Sequence, residues 1–259
     1  MEELELRVSL LQLDIVWENV TENLAQIEKK IAENYQTTDL FILPEMFTTG
    51  FSMNSRVLAE TNDGKTIRKI KELAQQFDVA ICGSFIAEDN GDYYNRGFFI
   101  TPDSENYYDK RHLFRMGDEA NHFSSGNKRL IVSYKGFNIS LIVCYDLRFP
   151  IWIRNVENEY DILICVANWP IVRSRAWNIL LEARAIENMA YVCGVNRVGI
   201  DGNGLEYIGD SKIIDPKGII IATSENKTDV ISVNISKESL TKFRNKFPVW
   251  KDADEFKLL

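Results

Sequence analysis

The hydrophobic positions follow two periods along the chain, and each period predicts a different kind of element. Apolar residues three or four apart predict helices over residues 18–35, 66–77 and 173–189, and further helices are expected over 151–159 and 236–246. In the helix over 173–189, this spacing places Ile179, Leu180, Ala183 and Ile186 on one side. Short alternating or wholly apolar runs predict strands over residues 6–15, 39–43, 79–87, 94–100, 130–133, 137–143, 161–167, 191–195, 208–214, 219–222 and 230–233.

Tight turns join several of these strands, whereas the helices come in spaced groups. This order favours mixed sheets in a layered α/β domain over a strictly parallel barrel. The strand over 162–166 is apolar on both faces, so we expect helices on one side of its sheet and a second layer on the other. No linker or repeat interrupts the pattern. We therefore expect a single domain over residues 1–246, followed by a C-terminal tail over 247–259.

Charge and cysteine content argue against several classes of protein. The 259-residue chain has a net charge of −8, and both nucleic acids and anionic membranes select basic surfaces instead. No apolar run approaches the roughly 18–20 residues of a membrane span, and the acidic N-terminus lacks the basic start of a secretory signal. The four cysteines lie far apart without a CxxC pair, which is typical of a reducing compartment. We expect a cytoplasmic protein that binds neither nucleic acid nor membrane.

Cys144 stands at a corner between two predicted elements. It follows the apolar run 141–143 and precedes residues 145–150, which are predicted to open a helix. A thiol at such a corner faces outward, and a helix N-terminus favours its thiolate form. Although a single cysteine is more often structural, this is the position of a nucleophile.

Glu45 and Lys110 occupy comparable positions. Glu45 follows the strand over 39–43 after one proline, and Lys110 follows a strand end at residues 107–108. Ligand sites in α/β sheets gather at the C-terminal ends of strands. A carboxylate, an amine and a thiol are therefore candidates for one site.

Motifs for other chemistries are absent from the sequence. It contains no GxSxG elbow, no GxxxxGK[ST] phosphate loop and no GxGxxG fingerprint. A possible metal-ligand set, His112, Asp118, Glu119 and His122, lacks the i, i+4 histidine pair of the HExxH type. We expect neither a metal nor an organic cofactor.

Taken together, these residues resemble the nitrilase superfamily, whose members hydrolyse carbon–nitrogen bonds with a Glu-Lys-Cys triad. The resemblance runs from about residue 6 to residue 233 and rests on six motifs in the family's order: Leu43-Pro44-Glu45, Lys110-Arg111-His112-Leu113-Phe114, Cys144-Tyr145-Asp146-Leu147-Arg148-Phe149-Pro150, Asn168-Trp169-Pro170, Ala183-Arg184-Ala185-Ile186-Glu187-Asn188 and Gly209-Asp210-Ser211. The runs 44–51 and 114–119 look like the ω-amidase branch, which hydrolyses the terminal amide of 2-oxoglutaramate. The resemblance implies a four-layer α-β-β-α sandwich of two mixed sheets, assembled as a homodimer or higher homo-oligomer.

The resemblance also implies a role for each residue of the site. Glu45 would accept the thiol proton of Cys144, whose sulfur would attack the amide carbon and form a thioester. Lys110 and the backbone N–H of Tyr145 would hold the oxyanion. Glu119 matches a second family glutamate, which orients Lys110 and helps to position the substrate.

An ω-amidase substrate carries a carboxylate remote from the amide, and the pocket therefore needs a cation. Arg173 is the first candidate and Arg148 the second, although Arg148 is equally well explained as an ion-pair partner of Asp146. Phe47 and Trp169 are expected to wall the pocket.

The function expected from the resemblance is hydrolysis of 2-oxoglutaramate or 2-oxosuccinamate to the dicarboxylic acid and ammonia. An N-carbamoyl amino acid hydrolase or an aliphatic amidase would use the same triad and is the alternative among enzymes. A catalytically silent, dimeric binding protein of the same fold is the alternative from another class. The intact Glu45, Lys110 and Cys144 argue against that silent protein.

Overall fold

A computed structural model describes residues 4–256 as two large sheets with helices outside them. The strands are β1 (Glu5–Gln12), β2 (Leu40–Ile42), β3 (Ala80–Asp89), β4 (Asp92–Ile100), β5 (Glu105–Asp109), β6 (Leu130–Tyr134), β7 (Phe137–Val143), β8 (Ile162–Ala167), β9 (Tyr191–Asn196), β10 (Val198–Ile200), β11 (Glu206–Ile208), β12 (Lys212–Ile214), β13 (Ile220–Thr223) and β14 (Asp229–Ser236). The helices are α1 (Val20–Asn34), α2 (Ser55–Leu58), α3 (Lys65–Phe77), α4 (Ser174–Asn188) and α5 (Lys237–Lys246).

Both large sheets are mixed and have the same plan. The first has the order β14-β1-β2-β3-β4-β5 and the second the order β13-β12-β9-β8-β7-β6. In each sheet three consecutive strands are parallel, β1 to β3 in the first and β7 to β9 in the second. The outer strands pair antiparallel to them. The short strands β10 and β11 form a separate hairpin.

The alternation of side chains in the first sheet assigns one face to each neighbouring layer. Leu6, Val8 and Leu10 of β1 are fully buried in a core shared with strands of the second sheet. Phe41 and Ile81 belong to a separate core, which includes the apolar residues of α1 and α3. Apolar residues of α4 and α5 join the core of the second sheet. The four-layer α-β-β-α sandwich predicted from the sequence is therefore confirmed.

The buried face of α4 is not the one that the sequence analysis predicted. Ile179 and Ile186 are 53% and 56% exposed, and Trp177 and Leu181 are buried instead. These two side chains pack against β9 at Gly194, where an added Cβ would lie 2.5 Å from Leu181. Since α4 carries apolar residues on both faces, periodicity alone did not decide which face enters the core.

Two other predicted helices are wrong. Residues 151–159 form turns and a short 3-10 segment, Val156–Asn158. The segment that follows Val143 is a 3-10 turn, Cys144–Arg148, instead of the start of an α-helix. The predicted strand over 208–214 is divided between β11 and β12, because residues 209–211 leave the extended conformation.

The ends of the chain lie partly outside the described residues. The predicted tail over 247–259 contains a 3-10 turn, Val249–Asp252, and its last three residues are not described. Residues 1–3 of the domain predicted over 1–246 are not described either. The division of the chain into this domain and the tail stays a prediction. None of the helices within residues 4–256 is long and apolar enough to cross a bilayer.

Candidate active site

Three strand ends meet where the two sheets face each other. Glu45 follows β2 and Lys110 follows β5 in the first sheet, while Cys144 follows β7 in the second. Lys110 Nζ lies 2.8 Å from Glu45 Oε1, and Lys110 and Cys144 line the same cavity. The structure thus brings together the carboxyl, amine and thiol groups that are distant in the sequence.

Lys110 lies between two carboxylates. Its Nζ donates to Glu45 Oε1 at 2.8 Å and to both oxygens of Glu119 at 2.9 Å. The three side chains are completely buried. Burial lowers the pKa of Lys110, but the charges of Glu119 and Glu45 outweigh it and raise that pKa above its usual value. Lys110 is therefore an ammonium ion with a fixed position.

Neutral N–H groups complete the environment of the two carboxylates. Asn95 Nδ2 donates to Glu45 Oε1 at 2.7 Å and to Glu119 Oε1 at 3.0 Å. The backbone N–H of Asn168 donates to Glu45 Oε2 at 2.8 Å, and that of Phe114 to Glu119 Oε2 at 2.6 Å. The sequence analysis missed Asn95. The one sign of its role in the sequence was that a polar residue stands at the start of an apolar strand.

Cys144 has a left-handed backbone conformation, with φ +46°. A non-glycine residue there costs of order 1–3 kcal/mol, which the surrounding structure must offset. Asp146 supplies part of that support, because its Oδ2 accepts from the Val143 N–H at 3.1 Å and from the Tyr108 hydroxyl at 2.7 Å. His112 donates its backbone N–H to Asp146 Oδ1 at 2.9 Å. These bonds connect the turn that carries Cys144 with the strand end that carries Lys110.

The surroundings of Cys144 favour the neutral form of its thiol. Burial and the charge of Glu45 raise its pKa well above the usual value, and the smaller opposite effect of Lys110 does not compensate. The five-residue 3-10 turn is also too short to build up the summed dipole of a full α-helix. The α-helix that was expected to begin after Cys144 is therefore absent, and the neutral thiol that burial favours needs a base.

A cavity of about 290 Å³ opens onto Cys144 and Lys110. Of the predicted residues, Tyr145, Arg148, Trp169 and Arg173 line it, together with Phe51, Phe114, Asn168, Asp201, Asn203 and Tyr207, which the sequence analysis did not assign to the pocket. Asp201 and Asn203 lie in the loop between β10 and β11, whose sequence carries no recognisable motif.

Phe47 lies elsewhere. It is fully buried in the core under α1 and α3 and packs edge-on against Phe98, with ring centroids 5.8 Å apart. The expectation that Phe47 walls the pocket is corrected accordingly. It follows β2 just as Glu45 does, but it points into the helix-covered core.

The two candidate arginines contact aromatic rings at the cavity. The Arg148 guanidinium lies 5.0 Å from the Trp169 ring centroid, and that of Arg173 lies 5.0 Å from the Phe114 centroid. Asp146, proposed as an ion-pair partner of Arg148, instead accepts hydrogen bonds from Tyr108 and His112. Both arginines line the cavity, and each guanidinium group lies beside an aromatic ring of its wall.

The candidate metal ligands do not converge. His112 pairs with Asp146 at 2.8 Å, whereas His122 pairs with Asp118 at 3.0 Å. Among residues 4–256, no group of three or more histidine, cysteine, aspartate and glutamate side chains is arranged to hold a metal ion.

The chain matches the carbon–nitrogen hydrolase family over residues 7–245. It belongs to this family. It is 45% identical over 255 residues to omega-amidase YafV of Escherichia coli K12, with 98% of each chain covered. It is 32% identical over 250 residues to 2-oxoglutaramate amidase of Bacillus subtilis 168, with 95% of this chain and 96% of that protein covered. The structure of a CN-hydrolase superfamily protein from Xanthomonas campestris, with an arsenic adduct in its active site, superposes with a TM-score of 0.97 at 41% identity and covers 98% of this chain and 99% of that one.

Membership in the carbon–nitrogen hydrolase family confirms the resemblance to the nitrilase superfamily and the prediction of an enzyme. Cys144 directly follows β7 and lines the cavity, and it lies in the position of a nucleophile in this carbon–nitrogen hydrolase.

Proposed function

We propose that this carbon–nitrogen hydrolase is an ω-amidase, which converts 2-oxoglutaramate or 2-oxosuccinamate to the dicarboxylic acid and ammonia. The observation that carries the proposal is one cavity that joins Cys144 and Lys110 to the two guanidinium groups of Arg148 and Arg173. A small substrate with an amide at one end and a carboxylate at the other fits this distribution of charge. Two relatives with the names omega-amidase and 2-oxoglutaramate amidase support it.

In the first half of the reaction, Glu45 takes the thiol proton of Cys144 as the sulfur attacks the amide carbon. Glu45 is ready for this step because Lys110, Asn95 and the backbone of Asn168 hold both of its oxygens. Lys110 and the Tyr145 backbone N–H stabilise the oxyanion of the tetrahedral intermediate. The carbon–nitrogen bond then breaks, Glu45 returns the proton to the leaving nitrogen, and ammonia departs from a Cys144 thioester.

In the second half, water replaces ammonia. Glu45 removes a proton from the water as its oxygen attacks the thioester carbon, and the oxyanion forms again beside Lys110. The carbon–sulfur bond breaks, the sulfur takes the proton from Glu45, and the carboxylic acid leaves. Glu119 keeps the Lys110 ammonium in place through both halves, since it holds Nζ with two oxygens.

Arg173 and Arg148 would hold the remote carboxylate of the substrate. A guanidinium binds a carboxylate through two parallel hydrogen bonds, which also fixes the orientation of the chain that leads to the amide. The Phe114 and Trp169 rings restrict the two guanidinium groups and close the walls of the cavity. The pocket thus favours small, anionic amides over neutral ones.

The test is ammonia release from 2-oxoglutaramate, glutamine, propionamide and an N-carbamoyl amino acid. We expect the largest kcat/KM for 2-oxoglutaramate, with no release of carbon dioxide. Turnover of glutamine without turnover of its keto analogue, 2-oxoglutaramate, would reject the assignment as an ω-amidase. Carbon dioxide released together with ammonia would indicate the carbamoyl hydrolase.

Cys144→Ala distinguishes the enzyme from a silent binding protein of the same fold. If Cys144 is the nucleophile, turnover falls by several orders of magnitude while the circular dichroism spectrum stays unchanged. Equal amidase activity of the variant and the parent would reject the mechanism. A parent protein without any amidase activity would favour the silent protein.

We also propose that the enzyme forms a homodimer through the outer face of α4. Ile179 and Ile186 are exposed on that face, and Ile186 lies against the turn at Gly218, where an added Cβ would be 2.6 Å away from it. Ile219, directly after this turn, is 57% exposed. Neighbouring exposed apolar side chains of this kind mark interfaces between proteins.

The cytoplasm is the compartment we propose for this enzyme. All four cysteines are free thiols, which fits a reducing compartment. A fractionation experiment that recovers the protein outside the cytoplasm would contradict this.

A further inference from the structure

The buried centre of the site has more negative than positive charge. Glu45 and Glu119 are carboxylates, Lys110 is their common cation, and all three side chains have no exposed surface. Two carboxylates that share one site do not both ionise readily, since each disfavours the charge of the other. Other donors must therefore support the second negative charge.

Asn95 is placed to give that support. Its side-chain amide has two hydrogens, and Nδ2 donates to Glu45 Oε1 at 2.7 Å and to Glu119 Oε1 at 3.0 Å. The residue lies on β4 and is completely buried. It is thus a neutral side chain that contacts both carboxylates from one nitrogen, on the same two oxygens that Lys110 contacts.

Ser84 fixes the orientation of the Asn95 amide. The Ser84 hydroxyl accepts from the backbone N–H of Met46 at 2.9 Å and therefore donates its own hydrogen to Asn95 Oδ1, at 3.0 Å. Because Oδ1 is held by this hydroxyl, Nδ2 faces the carboxylates. Met46 is the residue after Glu45 and has a φ of +43°, so the same chain of bonds holds the turn that carries Glu45.

We propose that Asn95 is a positioning residue that keeps Glu45 and Glu119 ionised together, so that Glu45 remains available as the base; this role rests on the proposed function. Asn95 is not among the residues that line the cavity, and its side-chain amide acts through the two carboxylates. It differs from Lys110 because it adds no charge of its own.

The direction of the pH effect follows from the groups around the carboxylates. Burial and the charge of Glu45 raise the pKa of Glu119, whereas Lys110, the Phe114 N–H and Asn95 oppose this. The Cys144 thiol and the Tyr207 phenol also interact with Glu45, and both are neutral because their own pKa values are raised. Removal of Asn95 takes away one of the groups that oppose the raised pKa of Glu119, and proton uptake by Glu119 therefore moves to higher pH.

Asn95→Leu tests the proposal, because leucine has a similar size and donates no hydrogen bond. The acid limb of kcat/KM for 2-oxoglutaramate should move upward by about one pH unit, the amount expected for one lost hydrogen bond to a carboxylate. In Ser84→Ala, Asn95 loses its anchor, and a smaller shift in the same direction is expected. Asn155→Leu is the matched control, since Asn155 is buried and bonded to Tyr160 and Asn188 away from the site.

Infrared difference spectra give a readout that needs no turnover. When the three proteins are compared at one pH, Asn95→Leu should show the carbonyl stretch of a protonated carboxyl group. The parent protein and Asn155→Leu should lack this band. Folded Asn95→Leu and Ser84→Ala proteins with unchanged acid limbs and infrared titrations would overturn the inference. If the parent lacks amidase activity but the infrared shift appears, the proposed function fails and the ionisation role of Asn95 stands.

Discussion

Lys110→Met would leave two buried carboxylates without their cation. Methionine has a similar length and carries no charge, so the change removes the bonds at 2.8 Å to Glu45 and 2.9 Å to Glu119 with little change in volume. The loss of one partner from a buried ion pair typically costs about 3–5 kcal/mol, because the remaining charge is not compensated. In the folded variant, we expect one carboxyl group to take up a proton instead.

This proton makes the cost dependent on pH. Glutamate in the unfolded chain ionises near pH 4.3, whereas the pKa of Glu119 in the folded protein is already raised by burial and lowered by Lys110. Above about pH 4.3, the folded variant therefore binds one more proton than the unfolded variant, and its stability falls as the pH rises. The slope for one proton is about 1.4 kcal/mol per pH unit, or about 4 kcal/mol between pH 5 and pH 8.

Urea unfolding at several pH values measures this slope for the parent and for Lys110→Met. The exposed Lys29, which pairs with Glu33 at 4.0 Å, provides the control Lys29→Met, for which we expect little change. Adding Glu119→Gln to Lys110→Met should recover much of the stability at pH 8, since one buried charge is gone. An equal loss of stability at pH 5 and pH 8 would show that the carboxylates do not carry the buried charge that we infer.

Three further predictions concern the pocket, the turn that carries Cys144 and the proposed dimer. Arg173→Gln should raise KM for 2-oxoglutaramate about tenfold or more, which is the effect of one lost charged hydrogen bond. The kinetics with propionamide, which has no carboxylate, should stay unchanged. Equal effects on both substrates would contradict the role of Arg173 in binding the carboxylate. Asp146→Asn should lower kcat by roughly 10–100-fold with little change in KM, because even a small displacement of Cys144 slows the reaction. An unchanged kcat would show that Asp146 does not support the turn that carries Cys144. Ile186→Glu should produce a folded monomer in light scattering, and a persistent dimer would place the interface elsewhere.

Local patterns in the sequence were enough to predict that Glu45, Lys110 and Cys144 each follow a strand, and to predict most of the elements. Glu45, Lys110 and Cys144 each follow a strand, and a strand end is visible as the point where an apolar run stops. The helices α1 and α3 also lie close to their predicted bounds, since each carries apolar residues on one face only. In these cases the information lies within a few neighbouring residues.

Contacts between distant segments decided the rest. Asn95 and Ser84 enter the site because β3 and β4 place them behind the turn after β2, and nothing near them in the chain indicates this. The sequence determined that α4 is a helix with apolar residues, whereas packing at Gly194 selected Trp177 and Leu181 for the core and left Ile179 and Ile186 outside. Periodicity shows which residues share a face, but a face is buried only if another layer covers it, and that depends on the whole fold.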